Sequence, residues 1–435
     1  MTIPLKLLGR IGRTVELMPE KRYVLLVLLL VFSSRITSVL VIGELDKPLL
    51  YESGMIARNF LGGHGYSVNY RYPMPESRID PREYNDGNPM PTAFTLPGYV
   101  TVVAATLALL GDTRTAYITL YALNVAASVA TALLLYAVAL NVLGKRRARF
   151  GTLIFALHPP AIAYAATFGG GPWYHLILMT ALYFLVRAAH RKSMSSVLLA
   201  GTAAGVWVLF RSEALVLGWI GALWLGKRLG ARKAVMYAAT AAVVVLPWSI
   251  RNSIVFDSFV PLTTNAWLNI WRGCNAEASG GSFDVRGEAN WFDAAGEIPR
   301  AISALPVTPR YELDVMEIYR RHTVAFVSSN PGTTVVLYGK KLLLFLTVDI
   351  SDPRVRNIAF ALPHVALSAA ALFGIGVAAR RRRTPLLIVI PIVFYCILIP
   401  VFHVETRYQV MVSILYCLAA VLPMHDRPPE TAVTL

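Results

Sequence analysis

The sequence predicts an all-α polytopic membrane protein with about ten transmembrane helices and further interfacial or re-entrant helices on the external side. Three observations lead there. Of 435 residues, 56% are hydrophobic and only 15% are charged, against about 25% charged in a soluble domain. Mean hydropathy is +0.54. The apolar residues fall in long blocks, which excludes a single soluble globular domain. Disorder is excluded too, because a disordered chain needs low hydrophobicity.

An apolar stretch of about 20 residues crosses a ~30 Å hydrocarbon core. Such stretches lie at Tyr23–Ile42, Ala116–Val142, Phe150–Thr167, Trp173–Ala188 and Val197–Phe210. Others follow at Ala214–Leu225, Ala234–Ile250, Ile358–Ala379, Leu386–Phe402 and Val410–Leu422. The first is too long for a cleaved signal peptide, and no small-residue cleavage site follows it. Two further apolar runs are Phe94–Leu110 and Val335–Val348.

Basic clusters decide what those two runs are, since short cytoplasmic loops carry the excess Lys and Arg. Lys145-Arg146-Arg147, Lys227-Arg228 with Arg232-Lys233, and Arg380 to Arg383 should all face the cytoplasm. A crossing at Phe94–Leu110 or Val335–Val348 would put one of these clusters outside. Both runs are therefore read as external interfacial or re-entrant helices, with both termini inside. The cytoplasmic segments then hold 20 Lys/Arg and 4 Asp/Glu, and everything else holds 21 and 21. The whole net charge of +16 belongs to topology, and no nucleic-acid partner is needed. The chain is expected to be one integral membrane domain over 1–435, in a plasma or inner membrane. Residues 43–115 form a first external loop with juxtamembrane helices, and 251–357 a second external segment. Neither can bury a core of its own, so they should pack on each other. The three cysteines are Cys274, Cys396 and Cys417; the last two sit in apolar runs, which argues against a disulfide framework.

The chemistry-bearing residues gather outside. Glu44, Asp46 and Glu52 follow the first span, and Glu52 opens a short helix ended by Gly62-Gly63. A carboxylate against apolar surface suits a general base; the alternative is an acid favoured by the helix dipole. Asp46 precedes Lys47-Pro48, and a neighbouring lysine weakens a carboxylate as a base. Arg251, in Pro247-Trp248-Ser249-Ile250-Arg251-Asn252, lies where a lipid phosphate would, as do Lys340, Lys341 and Arg407. Arginine forks match phosphate oxygens; the plainer reading is a snorkelling interfacial cation. His175 starts a span beside Trp173 and Tyr174, either as a site residue or as part of an aromatic belt. Asp80, Glu83 and Asp86 lack calcium-loop spacing, so no cofactor is required, though a divalent cation has room there. Arg35 lies within the first span, and Arg211 and Glu213 interrupt an apolar block as a tight external turn. Phosphate-loop, HExxH, CxxC and GxSxG motifs are absent.

The order of these features resembles the GT-C glycosyltransferase superfamily, in particular the dolichyl-phosphate-mannose protein mannosyltransferase and lipid A aminoarabinose transferase group. The matching pieces are Ile56-Ala57-Arg58-Asn59-Phe60-Leu61 after an external acid, Leu96-Pro97-Gly98-Tyr99, His158-Pro159-Pro160 and Leu209-Phe210-Arg211-Ser212-Glu213. Pro247 to Asn252, Asn269 to Gly281 and Glu405-Thr406-Arg407-Tyr408 complete the series. The resemblance implies an inverting transferase that moves a monosaccharide from a polyprenyl-phosphate carrier to an acceptor hydroxyl on the extracytoplasmic side. A carboxylate of the first external loop would be the base, Glu52 or Asp46; the family position itself falls at Leu49. Arg251, Lys340, Lys341 and Arg407 would hold the donor phosphate, and Arg58, Asn252 and His175 would contact substrate. Partners would be membrane lipid, the lipid-linked donor and a glycan, lipid or protein acceptor. The competing class is a transporter or flippase for a lipid-linked glycan, for which the repeats and interrupted midplane helices are not found.

Overall fold

The structure, a computed structural model, describes residues 12–69, 89–284 and 296–425. These residues are almost wholly helical, with one two-stranded antiparallel ribbon pairing Ser67–Val68 with Met90–Pro91. Four helices are long and apolar enough to cross a membrane by length and composition: Glu20–Ile42, Arg114–Leu143, Ala231–Val255 and Ile358–Arg380. Shorter helices pack among them: Gly171–Arg191, Met194–Phe210, Ala214–Leu229, Leu386–Leu398 and Thr406–Ala420. The last lies at the centre, and nearly every side chain from Thr406 to Ala419 is buried.

Small residues let the helices approach. Gly201 and Gly205 form a Gly-x-x-x-Gly stretch whose missing side chains admit the backbone of Ala231–Val255. A Cβ at Gly201 would lie 2.5 Å from the Tyr237 carbonyl oxygen. Gly374 does the same on the other side, where a Cβ would meet the Ala419 carbonyl oxygen at 2.0 Å.

The third apolar segment is not one helix. It runs as Lys145–Leu157, breaks at His158, and continues as Pro159–Ala163 and a 3-10 turn at Tyr164–Ala166. The break has a direct cause. Pro159 and Pro160 carry no N–H, so the carbonyls one turn back, Phe155 and Ala156, lose their helical donors. Arg35 supplies both. Its Nη2 donates to the Phe155 oxygen at 2.9 Å and its Nη1 to the Ala156 oxygen. The guanidinium is fully buried and stacks over the Phe155 ring at 5.2 Å. The intramembrane charge that sequence reading marks for function thus closes a helix break. Arg35→Met should lower stability in detergent by about 2 kcal/mol, since the Ala156 and Phe155 carbonyls lose the guanidinium in an apolar setting and Phe155 keeps only a long bond, 3.4 Å, from the His158 N–H. An unchanged thermal unfolding temperature would show that other groups satisfy them.

The described parts of residues 43–115 and 251–357 meet at one end of the bundle. Tyr51–Leu61 and Pro97–Leu110 pack together, and Met55 and Ile56 bury against Leu268, Ile302, Val315 and Tyr319 from the second segment. Glu312 fastens the junction. Its carboxylate accepts from Thr92 Oγ1 at 2.6 Å, Ala93 N at 2.9 Å and Thr264 Oγ1 at 2.5 Å. Burial raises its pKa, and these hydrogen bonds oppose that rise. Pro331–Leu346 packs beside the turn at Ile399–Val401.

Candidate active site

Charged and aromatic groups converge at one place at an end of the bundle. The turn after Phe210 brings Arg211 and Glu213, paired at 2.5 Å. The Arg211 Cζ lies 5.2 Å from the Tyr174 ring centroid and 5.5 Å from that of Tyr408. Arg407 stands over the same Tyr408 ring at 5.3 Å. One aromatic ring therefore carries two guanidiniums, a cation–π arrangement that holds like charges together.

Behind them, Glu405 accepts from Arg272 Nη1 at 3.1 Å and from His403 Nε2 at 2.6 Å, while its other oxygen pairs with Arg407 Nε. Lys341 is buried nearby, its Nζ donating to the carbonyls of Gly273 at 3.0 Å and Phe402 at 2.8 Å. Burial lowers the pKa of Lys341 and of Arg272. Three arginines face two carboxylates here, so the cluster carries surplus positive charge. Arg407 is its open member, with 46% of its side chain exposed against 2% for Arg272.

Burial, together with Arg272, pushes the His403 pKa down to about 4. Burial would raise the pKa of Glu405, but Arg407, His403 and Arg272 outweigh it and hold the carboxyl well below its ordinary value. Between the usual histidine value near 6.5 and about 4, the unfolded chain takes up a proton that folded His403 refuses, so stability falls as pH falls. Glu405 adds a loss in the same direction lower down. Thermal unfolding should therefore come earlier at pH 4.5 than at pH 7.5. His403→Gln should narrow that difference; an undiminished difference would clear His403 of the effect.

An apolar cavity of about 60 Å³ lies inward of this cluster, lined by Leu182, Trp207, Leu217, Trp224 and Pro391 among others. Trp207 and Leu217 each lie four residues, about one helical turn, from Arg211 and Glu213 respectively, so two helices bring the charged turn next to the cavity. A second apolar cavity of about 210 Å³ opens on the other face of Ala214–Leu229, between Gly218, Trp219, Ala241 and Val245.

Residues 44–61 pack on the helices Pro97–Leu110 and Arg114–Leu143 through Tyr99 and Tyr121. Tyr121 donates to the Glu44 carbonyl at 3.2 Å and accepts from the Glu44 N–H at 3.1 Å. Tyr99, buried between, lies within electrostatic reach of both Tyr121 and Tyr174. Asp46 is exposed and paired with Arg114 at 2.9 Å. Glu52 is half-buried in the first turn of Tyr51–Leu61, with no ion pair among the described residues. Tyr51 before it holds φ 52°, a left-handed conformation that costs a non-glycine residue about 1 kcal/mol. Such strain gathers at functional positions.

The other residues singled out by sequence lie apart or spend their donors internally. Arg251 Nη1 donates to the Thr92 carbonyl and Nη2 to the Tyr66 carbonyl, each at 2.7 Å, so it locks the first loop to the second segment. Asn252 is buried, accepting from Arg251 and donating to Leu262 O at 3.2 Å. Arg58 Nε pairs with Asp112 at 2.6 Å. His175 Nε2 donates to Val410 O at 2.8 Å inside the bundle, one residue from Tyr174. Lys340 is exposed. Arg272, Tyr174 and Tyr408 were not expected in the cluster, and Arg211 was expected only as a turn. The signal for Tyr408 and Arg272 lay in Glu405-Thr406-Arg407-Tyr408 and in Asn269 to Gly281, that for Arg211 in Leu209 to Glu213, and that for Tyr174 in its place beside His175. Among the described residues no three His, Cys, Asp or Glu side chains converge on a metal position. Asp80, Glu83 and Asp86 lie outside the described residues.

Residues 96–250 match the dolichyl-phosphate-mannose-protein mannosyltransferase family. Over 93% of its length the chain superposes on the Archaeoglobus fulgidus oligosaccharyltransferase AglB solved with an inhibitory peptide and a dolichol-phosphate, with a TM-score of 0.55 and 14% identity. The chain has the GT-C fold. A second structure of the same archaeal enzyme, tethered to an acceptor peptide, gives a TM-score of 0.54 at 13% identity over 93% of this chain. The GT-C chain described here spans about half the length of these enzymes, 50% and 49% of each. ArnT from Cupriavidus metallidurans bound to undecaprenyl phosphate aligns over 93% of this chain and 77% of its own, with 15% identity and a TM-score of 0.39. No curated protein matches by sequence. Of the motifs read from sequence, Leu96–Tyr99, His158–Pro160 and Leu209–Glu213 fall within the matched segment, Pro247–Asn252 runs past its end, and Ile56–Leu61, Asn269–Gly281 and Glu405–Tyr408 lie outside it.

Proposed function

We propose that this protein is an inverting glycosyltransferase that moves a monosaccharide from a polyprenyl-phosphate carrier to an acceptor hydroxyl at the external membrane face. The observation that carries the reading is the pair Arg211 and Arg407 on the Tyr408 ring, next to an apolar cavity between membrane helices. A site that couples cations to an apolar slot fits a phosphate borne on a lipid chain. The GT-C fold, the family match and the dolichol-phosphate in the archaeal oligosaccharyltransferase structure support the same substrate class.

In this reading Glu52 takes the proton from the acceptor hydroxyl. The acceptor oxygen attacks the anomeric carbon from the face opposite the phosphate. The bond from that carbon to the phosphate oxygen breaks, and the configuration inverts. Arg407 and Arg211 stabilise the charge gathering on the departing phosphate, with exposed Lys340 as an outlying cation. Glu52 is preferred to Asp46 because Asp46 is committed to Arg114. Arg251, Asn252, Lys341, Arg58 and His175 serve by holding the frame, since their polar atoms are bonded within it.

The transporter reading separates by experiment. Purified protein in liposomes, given a labelled polyprenyl-phosphate sugar and lipid, glycan and peptide acceptors, should form a new glycosidic product and free polyprenyl phosphate. Movement of the intact labelled lipid between leaflets, with no product, would favour the transporter. Sidedness is checked with an impermeant thiol reagent on whole cells. Cysteine at Ser77 should label from outside, and cysteine at Ser195 should not; the reverse would sink the external active site.

A further inference from the structure

Glu405 stands among bases where a carboxylate works against anion binding. Its oxygens meet Arg272 Nη1 at 3.1 Å, His403 Nε2 at 2.6 Å and Arg407 Nε. Arg272 and His403 are fully enclosed, and only Arg407 reaches outward. The guanidinium of Arg407 is therefore gripped from behind at Nε, and its terminal nitrogens extend over the Tyr408 ring.

The segment that carries Glu405 is itself pinned on both sides. The Val404 N–H donates to the Gly280 carbonyl at 3.0 Å, and the Thr406 hydroxyl donates to Asp352 at 2.5 Å. Gly273 lets this segment pass close to Ala266–Gly273, since a Cβ there would meet the Phe402 carbonyl oxygen at 2.0 Å. A carboxylate so fixed, on an arginine half in solvent, determines that arginine's direction.

We propose that Glu405 is a positioning residue: held by Arg272 and His403, it sets the angle at which Arg407 meets the donor phosphate. The proposal rests on the reading of Arg407 as a phosphate ligand. It has a sign that separates it from charge balance. A negative charge beside the site repels a phosphate, so removing it by Coulomb's law alone should tighten phosphate binding. If Glu405 acts through geometry, removing it weakens binding although the site becomes more positive.

The test is equilibrium binding of polyprenyl phosphate to the full chain in nanodiscs, with the dephosphorylated polyprenol as control and thermal unfolding as a check on folding. R407A should bind polyprenyl phosphate at least 10-fold more weakly, with the polyprenol unaffected. E405Q should bind it roughly 10-fold more weakly. In an R407A background, E405Q should add little, because its effect runs through Arg407. If R407A binds as well as the parent, the donor-site reading fails. If R407A is weakened while E405Q binds equally or more tightly, Glu405 only balances charge and the proposal is overturned. Should E405Q not fold, E405D decides. It keeps the charge but withdraws the carboxylate by one methylene, so weaker binding supports positioning and unchanged binding overturns it.

Discussion

Glu52→Gln is expected to lower glycosyl transfer by about 100-fold or more while donor binding persists, because general-base catalysis contributes on the order of 10²–10⁴. The glutamine keeps the shape of the side chain and loses only its basicity. Glu52 sits in the first turn of Tyr51–Leu61, half-buried and without an ion pair among the described residues. The strained φ of 52° at Tyr51 fixes where that turn begins. Asp46 is the natural control, since its carboxylate is exposed and already paired with Arg114. Asp46→Asn should leave turnover within a few-fold of the parent. The opposite pattern, with Asp46→Asn dead and Glu52→Gln active, would move the base to Asp46 and leave the rest of the scheme standing.

Arg407→Ala is expected to raise the donor KM and lower kcat/KM by roughly 10- to 150-fold, the loss of one charge-assisted phosphate contact worth about 1.5–3 kcal/mol. Arg211→Ala should cost as much or more, because it also abandons Glu213 as a nearly buried, unpaired carboxylate. The double variant should fall short of the sum, since both guanidiniums share the Tyr408 ring. Arg251→Ala should instead reduce thermal stability, by loosening Tyr66 and Thr92, with little change in donor KM. A selective rise in donor KM for Arg251→Ala, with folding intact, would restore it as a phosphate ligand.

The all-α membrane fold was legible because a bilayer demands long apolar segments. Where it was not legible, the cause is long-range pairing. His158-Pro159-Pro160 reads as the end of a span, and nothing local shows that Arg35, more than a hundred residues earlier, replaces the two missing donors. The site divides in the same way. Glu405-Thr406-Arg407-Tyr408 is visible as a motif, yet its partners Arg272 and Arg211 come from other helices. Arg251 has the most phosphate-like local setting. Its donors nevertheless go to backbone carbonyls 159 and 185 residues away, which spacing along the chain does not reveal. Lys47 beside Asp46 hinted at the difference between Asp46 and Glu52, but the partner that occupies Asp46 is Arg114, 68 residues away.

The central claim, that the sugar arrives on a polyprenyl phosphate, is tested most directly by measuring release of free polyprenyl phosphate by the purified protein. The donor is a labelled polyprenyl-phosphate sugar, run beside the same sugar on a nucleotide diphosphate. The account predicts release of polyprenyl phosphate with the first donor, matched mole for mole by transferred sugar and abolished by Glu52→Gln, and no transfer from the second. Transfer from the nucleotide sugar, or consumption of the lipid donor that Glu52→Gln and Asp46→Asn both leave untouched, would contradict it.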